Sequence, residues 1–498
     1  MGSVASNGSR TPRGARASPD WAVLALVCLG QFMVILDVSV VNVALPSIRT
    51  ELGFNATGLQ WVVNAYTLTF AGFMLLGGRA ADIYGRRRTF MLGLGLFTVA
   101  SLAGGLAQDR SMLVAARAAQ GLGGAILAPA TLTILTTHFR EARARARALG
   151  IWSAVAAGGG AAGALLGGLL TEVSWRWVLF VNIPIGVFGL IAARMVLTES
   201  RDEAGSRSLD VAGAVTVTAA LVTFVYGIVR TEGASWSSPA TIGTFALAAI
   251  LFGAFLVIET KIARSPLVPL GLFRSRSVTG ANIVIFLLAA AMFSMWYFLT
   301  LYLQTVLGYS PLQAGLAFVP QTLTIVVGAQ ISSRLVTRIG PRPLLVVAPL
   351  IAAVGMLWLS TITPDSTFVP DILWPGVLIT FGLGLAFTPV TFAATAGVPV
   401  EQGGLASGLV NTMRQVGGSI GLAGLATLAA DRTLSGLAGG APAPSALTAG
   451  FARAFAIGGA FLVVSAATAM IVPAKPRRAR ADREAVVERP AAARPMAE

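Results

Sequence analysis

Fourteen apolar runs follow one another along this chain, each about long enough to cross a bilayer and separated by short polar or charged breaks. They fall at 21–45, 58–76, 88–107, 111–137, 148–170, 175–196, 210–229, 240–260, 279–304, 312–333, 343–361, 372–393, 404–429 and 450–472. A spanning helix needs ~20 apolar residues. The alternation of a membrane strand is missing from every run, which argues against a barrel. With 55% hydrophobic and 11% charged residues among 498, and a mean hydropathy of +0.77, a soluble globule would lack the polar surface to cover such a core. The expectation is an all-α polytopic membrane protein with fourteen transmembrane helices.

The net charge of +15 does not point to a nucleic-acid partner, because the arginines are dispersed between the apolar runs and form no single basic face. They concentrate in alternate breaks. With the N-terminus in the cytoplasm this obeys the positive-inside rule, apart from the break after span twelve, which holds Glu401 and no basic residue. Both termini are then cytoplasmic: a disordered tail at 1–20 and a disordered basic tail at 473–498, the latter drawn to anionic lipid. The first run is too long for a signal peptide and is read as a retained span. Cys28 and His138 are each the only residue of their kind, so no disulfide within the chain and no Cys/His metal site is expected. No phosphate-binding loop and no nucleophile with a base is found. The reading is therefore no enzyme, no metal and no cofactor.

Gly77 to Arg88 reads GGRAADIYGRRR, a charged loop that must lie at a membrane surface. A degraded copy runs from Ser333 to Arg342, where Arg334, Gly340 and Arg342 repeat Arg79, Gly85 and Arg87, while Thr337 replaces Asp82. Gly121-Leu122-Gly123 with Pro129 is echoed by Gly382-Leu383-Gly384 with Pro389. The chain thus divides into two related six-helix bundles, 21–200 and 279–472, around a two-helix insertion at 201–278. Such repeats favour a transporter with its site near the midplane between the halves.

Asp37 is the acidic residue set well inside a span, where a charge costs a few kcal/mol. Low dielectric penalises the ionised form, so Asp37 is a candidate proton carrier; the alternative is a packing role with Ser39 or Asn42. Arg117 in span four is the matching cation, or else a structural clamp. Arg414, beside Gln415 and one turn after Asn411, either faces an aqueous cavity and an anionic group or snorkels to the surface. Gly150, Gly159, Gly163, Gly167 and Gly168 mark span five, with Gly159, Gly163 and Gly167 on one face suited to close helix contact. Ser174-Trp175-Arg176-Trp177 supplies interfacial aromatic anchors, and Asn182-Ile-Pro184-Ile-Gly186 a helix that proline can kink. Candidate cavity residues are Asn42, Asn64, Tyr66, Trp152, Trp296, Tyr297, Gln321, Asn411 and Arg414.

The ordered motifs LDVSVVNVALP (Leu36 to Pro46), GRAADIYGRR (Gly78 to Arg87), LVAARAAQGLGGA (Leu113 to Ala125), the glycine series from Gly150 to Gly168, and SWRWVLFVNIPIG (Ser174 to Gly186) resemble those of the major facilitator superfamily. The resemblance is to its fourteen-span drug:proton antiporters of the EmrB/QacA type. It implies the major facilitator fold, two pseudo-symmetric six-helix bundles plus two inserted central helices. It also implies export of small lipophilic compounds across the inner membrane, driven by protons, by a monomer whose partners are substrate, protons and lipid. Asp37 is implied in proton coupling and Arg117 in proton transfer. Gly78, Asp82, Gly85, Arg86 and Arg87 are implied in a latch between the halves in the outward-open state, with Asp82 facing the positive end of a helix starting near Gln402. The glycine series is implied in export, although Ala164 stands where that motif usually has proline. The lack of an embedded acid in the second half lowers the expectation of divalent organic cations as substrates. A proton-coupled importer, or a transporter-like sensor, is the alternative.

Overall fold

The computed structural model describes residues 19–473 apart from 56, 140, 201–207, 232–233 and 399–402; the tails expected at the two ends lie outside the described residues but for Pro19, Asp20 and Pro473. The described residues form α1 (Asp20–Leu52), α2 (Trp61–Tyr84), α3 (Arg86–Gly105), α4 (Arg110–His138), α5 (Ala142–Val173), α6 (Trp177–Val196) and α7 (Val211–Arg230). They continue as α8 (Pro239–Ile262), α9 (Arg276–Val306), α10 (Pro311–Ile339), α11 (Pro341–Leu359), α12 (Val369–Thr395), α13 (Gly403–Ala438) and α14 (Ala443–Ala469).

Twelve of these helices are long and apolar enough to cross a membrane, two fewer than the apolar runs led one to expect. The other two, α5 and α13, are 32 and 36 residues long. α13 carries Asn411, Arg414 and Gln415 in a run of Gly, Ala and Ser, while α5 opens on Arg143, Arg145 and Arg147 and then runs without a charge from 148 to 171.

Local chemistry sets the helix ends. The Asp109 carboxylate accepts from the Met112 N–H to start α4, and Ser310 with Gln313 forms a reciprocal capping box ahead of α10 with Pro311 at its first position. The turns from α2 to α3 and from α10 to α11 each need a residue at positive φ, supplied by Gly85 (φ 105°) and Gly340 (φ 81°). The break in α6 falls at Val181, ahead of Pro184. Trp175 is buried and not an interfacial anchor; its indole donates to Glu51 Oε2 at 2.7 Å, while Trp177 is half exposed.

The packing repeats with an offset of eight helices. α1 packs on α5 as α9 does on α13; α2 and α3 pack on α4 as α10 and α11 do on α12; α6 lies on α1 and α3 as α14 does on α9 and α11. The halves meet along two seams, α5 with α10 and α2 with α13. α7 covers the second seam, packing Val225 and Ile228 with Leu68 of α2 and Ala423 of α13, and Thr218 against Gly72.

Candidate functional site

The centre of the first half is a closed polar cluster. Asp37, Gln120, Asn182 and Ser101 are 0% exposed and Arg117 2%. Arg117 Nη1 donates to Asp37 Oδ2 at 2.5 Å and to Gln120 Oε1 at 2.6 Å, and its Nε donates to the Val62 carbonyl at 3.0 Å. Gln120 Nε2 donates to Asp37 Oδ1 at 2.6 Å and to Ser101 Oγ at 3.0 Å. Asn182 Nδ2 reaches the same two acceptors at 3.0 and 2.9 Å. The Ser101 hydroxyl donates to the Leu179 carbonyl at 2.9 Å. The Tyr66 ring lies 4.5 Å from the Arg117 guanidinium carbon, a cation–π contact out of water.

Close helix contact brings these side chains together. Any side chain at Gly121 would strike the Tyr66 carbonyl of α2, and one at Gly123 the backbone of Phe97 in α3. With glycine at both, α4 lies against α2 and α3 closely enough for Arg117 to reach the Val62 carbonyl. Gln120 is one turn beyond Arg117 and shares its face.

Sequence reasoning paired Asp37 with Arg117 but passed over Gln120, Ser101 and Asn182. Gln120 had a signal, its spacing from Arg117; Asn182 was read only as part of a kinkable run; Ser101 had none. Ser39 does not bond Asp37: its hydroxyl donates to the Gly160 carbonyl of α5 at 2.8 Å.

The glycines of α5 divide between two neighbours. Gly159, Gly163 and Gly167 face α1 at Ile35, Ser39 and Val40, and Gly168 faces Pro311 and Leu312 of α10. Gly315 of α10 sits on the Ala164 carbonyl, a close approach on the residue that replaces the usual proline. A Cβ at Gly150 would meet nothing within 4 Å among the described residues beyond its own helix. The α5–α10 contacts therefore lie toward the end of the molecule opposite the Gly85 and Gly340 turns. At that same end Gln304 donates to the Val43 carbonyl at 2.9 Å, and the Leu312 N–H to Glu172 at 3.4 Å, both across the halves.

The charged loop is tied within its own half. Arg87 and Arg88 N–H groups donate to the Glu199 carboxylate at 3.2 Å, placing that anion on the N-terminus of α3. Arg86 N–H donates to the Ser200 carbonyl at 2.9 Å, the Arg87 guanidinium donates to the Arg194 carbonyl at 3.1 Å, and Arg86 pairs with Asp82 at 3.6 Å. Gly78 lies over Pro129. Gln402, at the helix start expected to face Asp82, lies outside the described residues. Glu199 gave no sequence signal beyond standing in a polar break. Outside the spans, Asp109 is held below the usual carboxylate range by the Ser111 hydroxyl and the Met112 N–H.

The remaining candidates separate by exposure. Asn64, Tyr66, Tyr297 and Gln321 are at most 1% exposed and packed between helices in this conformation. Asn42, Trp152, Trp296, Asn411 and Arg414 are half-buried. Arg414 donates to Asn411 Oδ1 at 3.2 Å, and its Nε is buried without a partner among the described residues.

A family model described as Major Facilitator Superfamily matches residues 27–422. The chain belongs to the major facilitator superfamily. Within it, the chain is 45% identical to the cephamycin export protein CmcT of Amycolatopsis lactamdurans over 94% of this chain and 96% of that one. It is 40% identical to the puromycin resistance protein pur8 of Streptomyces alboniger, over 89% and 88%. Among solved structures it resembles a D-xylose-proton symporter, with a TM-score of 0.65 at 16% identity over 92% of this chain and 99% of that one. A bacterial homologue of the lysosomal transporter Spinster, inward-facing and unoccupied, gives 0.63 at 19% identity over 92% and 98%. These likenesses carry the superfamily fold to a multi-pass membrane chain.

Proposed function

We propose that this protein is a drug efflux transporter that exports small antibiotic-like compounds across the cytoplasmic membrane in exchange for protons. The single observation carrying the proton step is the Asp37–Arg117 pair, buried between α1 and α4. A buried carboxylate whose counter-charge is a permanent cation can exchange that partner for a proton at modest net cost. The relatives named for cephamycin export and puromycin resistance support the substrate class.

The chain is of the fourteen-span EmrB/QacA type, with α5 and α13 crossing the membrane alongside the other twelve. Both are packed among the helices of the two halves: α5 lies between α1 and α10, and α13 between α2 and α9. With both termini in the cytoplasm, the α5–α10 contacts close the outer end, and this conformation is inward-facing. Asp37 releases its proton here, substrate enters, and reorientation carries it outward. Inward movement of each proton is worth ~2.3 kcal/mol per 100 mV.

The test uses inverted membrane vesicles with an imposed proton gradient, loading puromycin and a cephamycin-type β-lactam in wild type and Asp37→Asn. Accumulation with proton release, both lost in the variant, is the expected result. Unchanged transport by Asp37→Asn would remove Asp37 from the coupling.

A further inference from the structure

The side-chain hydrogens that face Asp37 all suit its ionised form. Arg117 can only donate. Ser101 spends its hydrogen on the Leu179 carbonyl, so toward the two amides it is an acceptor. Gln120 and Asn182 must then both turn their NH2 groups to Ser101 and Asp37, and the carboxylate receives three donors. A protonated Asp37 would bring an O–H into this shell of donors with nothing to accept it.

One acceptor in the cluster is unused. Asn182 Oδ1 is buried and has no hydrogen-bond partner among the described residues. Gln120 cannot take its place, because its own Oε1 is held by Arg117 at 2.6 Å. Asn182 is also the first residue after the break of α6 at Val181, where its side chain is not part of a continuous helical face.

We propose that Asn182 is a positioning residue that reads the proton on Asp37 by turning its amide over. In the empty state Nδ2 donates to the carboxylate; when Asp37 is protonated, the amide rotates and Oδ1 accepts the new O–H. The rotated amide also presents Oδ1 to Ser101, whose hydroxyl then swings from the Leu179 carbonyl toward it, so that loading Asp37 loosens a contact between α3 and α6. Arg117 from α4 and Tyr66 from α2, behind the guanidinium, are the charged and titratable groups facing Asp37; α3 and α6 offer neutral Ser101 and Asn182, and α5 meets α1 through glycines.

This inference rests on Asp37 being the proton carrier, and the two fail separately. The full-length protein in detergent is titrated by infrared difference spectroscopy without substrate, following the protonated-carboxyl band absent from Asp37→Asn. Asn182→Leu, of similar shape, removes the only acceptor for the protonated form and one of three donors to the ionised form. The two losses oppose each other, so the band's midpoint is expected to stay within about half a pH unit of wild type or to move toward acid. A shift toward alkali of about one unit or more would make Asn182 merely a donor to the carboxylate and overturn the proposal. In wild type with isotopically labelled asparagine, a side-chain amide band absent from Asn182→Leu must change with the carboxyl band; a pH-invariant amide also overturns it. If no carboxyl band depends on Asp37, the coupling role falls first and this inference with it.

Discussion

Glu172 at the end of α5 accepts the backbone N–H of Leu312, the second residue of α10, at 3.4 Å, so a carboxylate of one half sits on a helix N-terminus of the other. Pro311 before it has no N–H, which leaves Leu312 as the first backbone donor of that helix. The arrangement favours closure of this end by charge and dipole together, but at an exposed site the effect is roughly 0.3–1 kcal/mol and is screened by salt. Glu172→Gln should therefore shift the conformational equilibrium only about two- to five-fold toward the state open at this end. Spin-label distances between the ends of α5 and α10 at low salt check this. A shift that persists in molar salt would count against the electrostatic origin.

The contact beneath it should be far less forgiving. A Cβ at Gly168 would lie 2.7 Å from Leu312 Cα and 2.8 Å from the Pro311 carbonyl, both backbone positions that cannot turn aside. Gly315 meets the Ala164 carbonyl in the same way. Gly168→Val and Gly315→Val are predicted to reach the membrane yet fail to close this end, losing transport by roughly tenfold or more, as expected of overpacking that costs ~1–3 kcal/mol. Surface expression, vesicle transport and the same spin-label distances separate this from misfolding. Near-normal transport by Gly168→Val would show that the α5–α10 contact does not limit the cycle.

Much of this was legible in the sequence for a simple reason: a bilayer forces each span to declare itself by length and apolarity, and a buried charge stands out against that background. Asp37 and Arg117 could be paired that way, and the Gly85 and Gly340 turns by their repeat. Neutral polar residues carry no such contrast. Ser101 and Asn182 look like ordinary helix residues until three-dimensional packing sets the Asn182 amide 3.0 Å from Asp37 and 2.9 Å from Ser101. Glu199 was hidden for the opposite reason, as one charge among many in a surface break. The glycine content of α5 announced close packing.

Replacing Arg117 by lysine should not be conservative. The guanidinium serves Asp37, Gln120 and the Val62 carbonyl from two nitrogens while lying under the Tyr66 ring. An ammonium has no planar fork to meet these partners together. Arg117→Lys is expected to keep the fold and lose most proton-coupled transport. Arg117→Gln, which strands a buried carboxylate, should cost about 3–5 kcal/mol of stability unless Asp37 takes up a proton. Thermal unfolding at two pH values tests this, with the deficit of Arg117→Gln expected to shrink at acid pH and to vanish in Arg117→Gln/Asp37→Asn. A deficit equal at both pH values and unrelieved by the second substitution would mean that the lost stability comes from packing around Tyr66.

The crossing of the membrane by α5 and α13 is open to a direct test, because the chain has one cysteine, Cys28, and it is buried. In a Cys28→Ser background, single cysteines at Arg147 near the start of α5 and at Glu172 near its end should be labelled by an impermeant thiol reagent from opposite faces of the membrane. Gly403 and Ser435 serve the same purpose for α13. These helices are long enough, at 32 and 36 residues, to span with some tilt. Arg414 lies eleven residues beyond Gly403, roughly 16 Å along the helix, which places it near mid-depth. A cysteine at 414 should then react only from the side to which the halves are open. Labelling of both ends of either helix from one face would return the count of spans to fewer than fourteen and place Arg414 outside the membrane core.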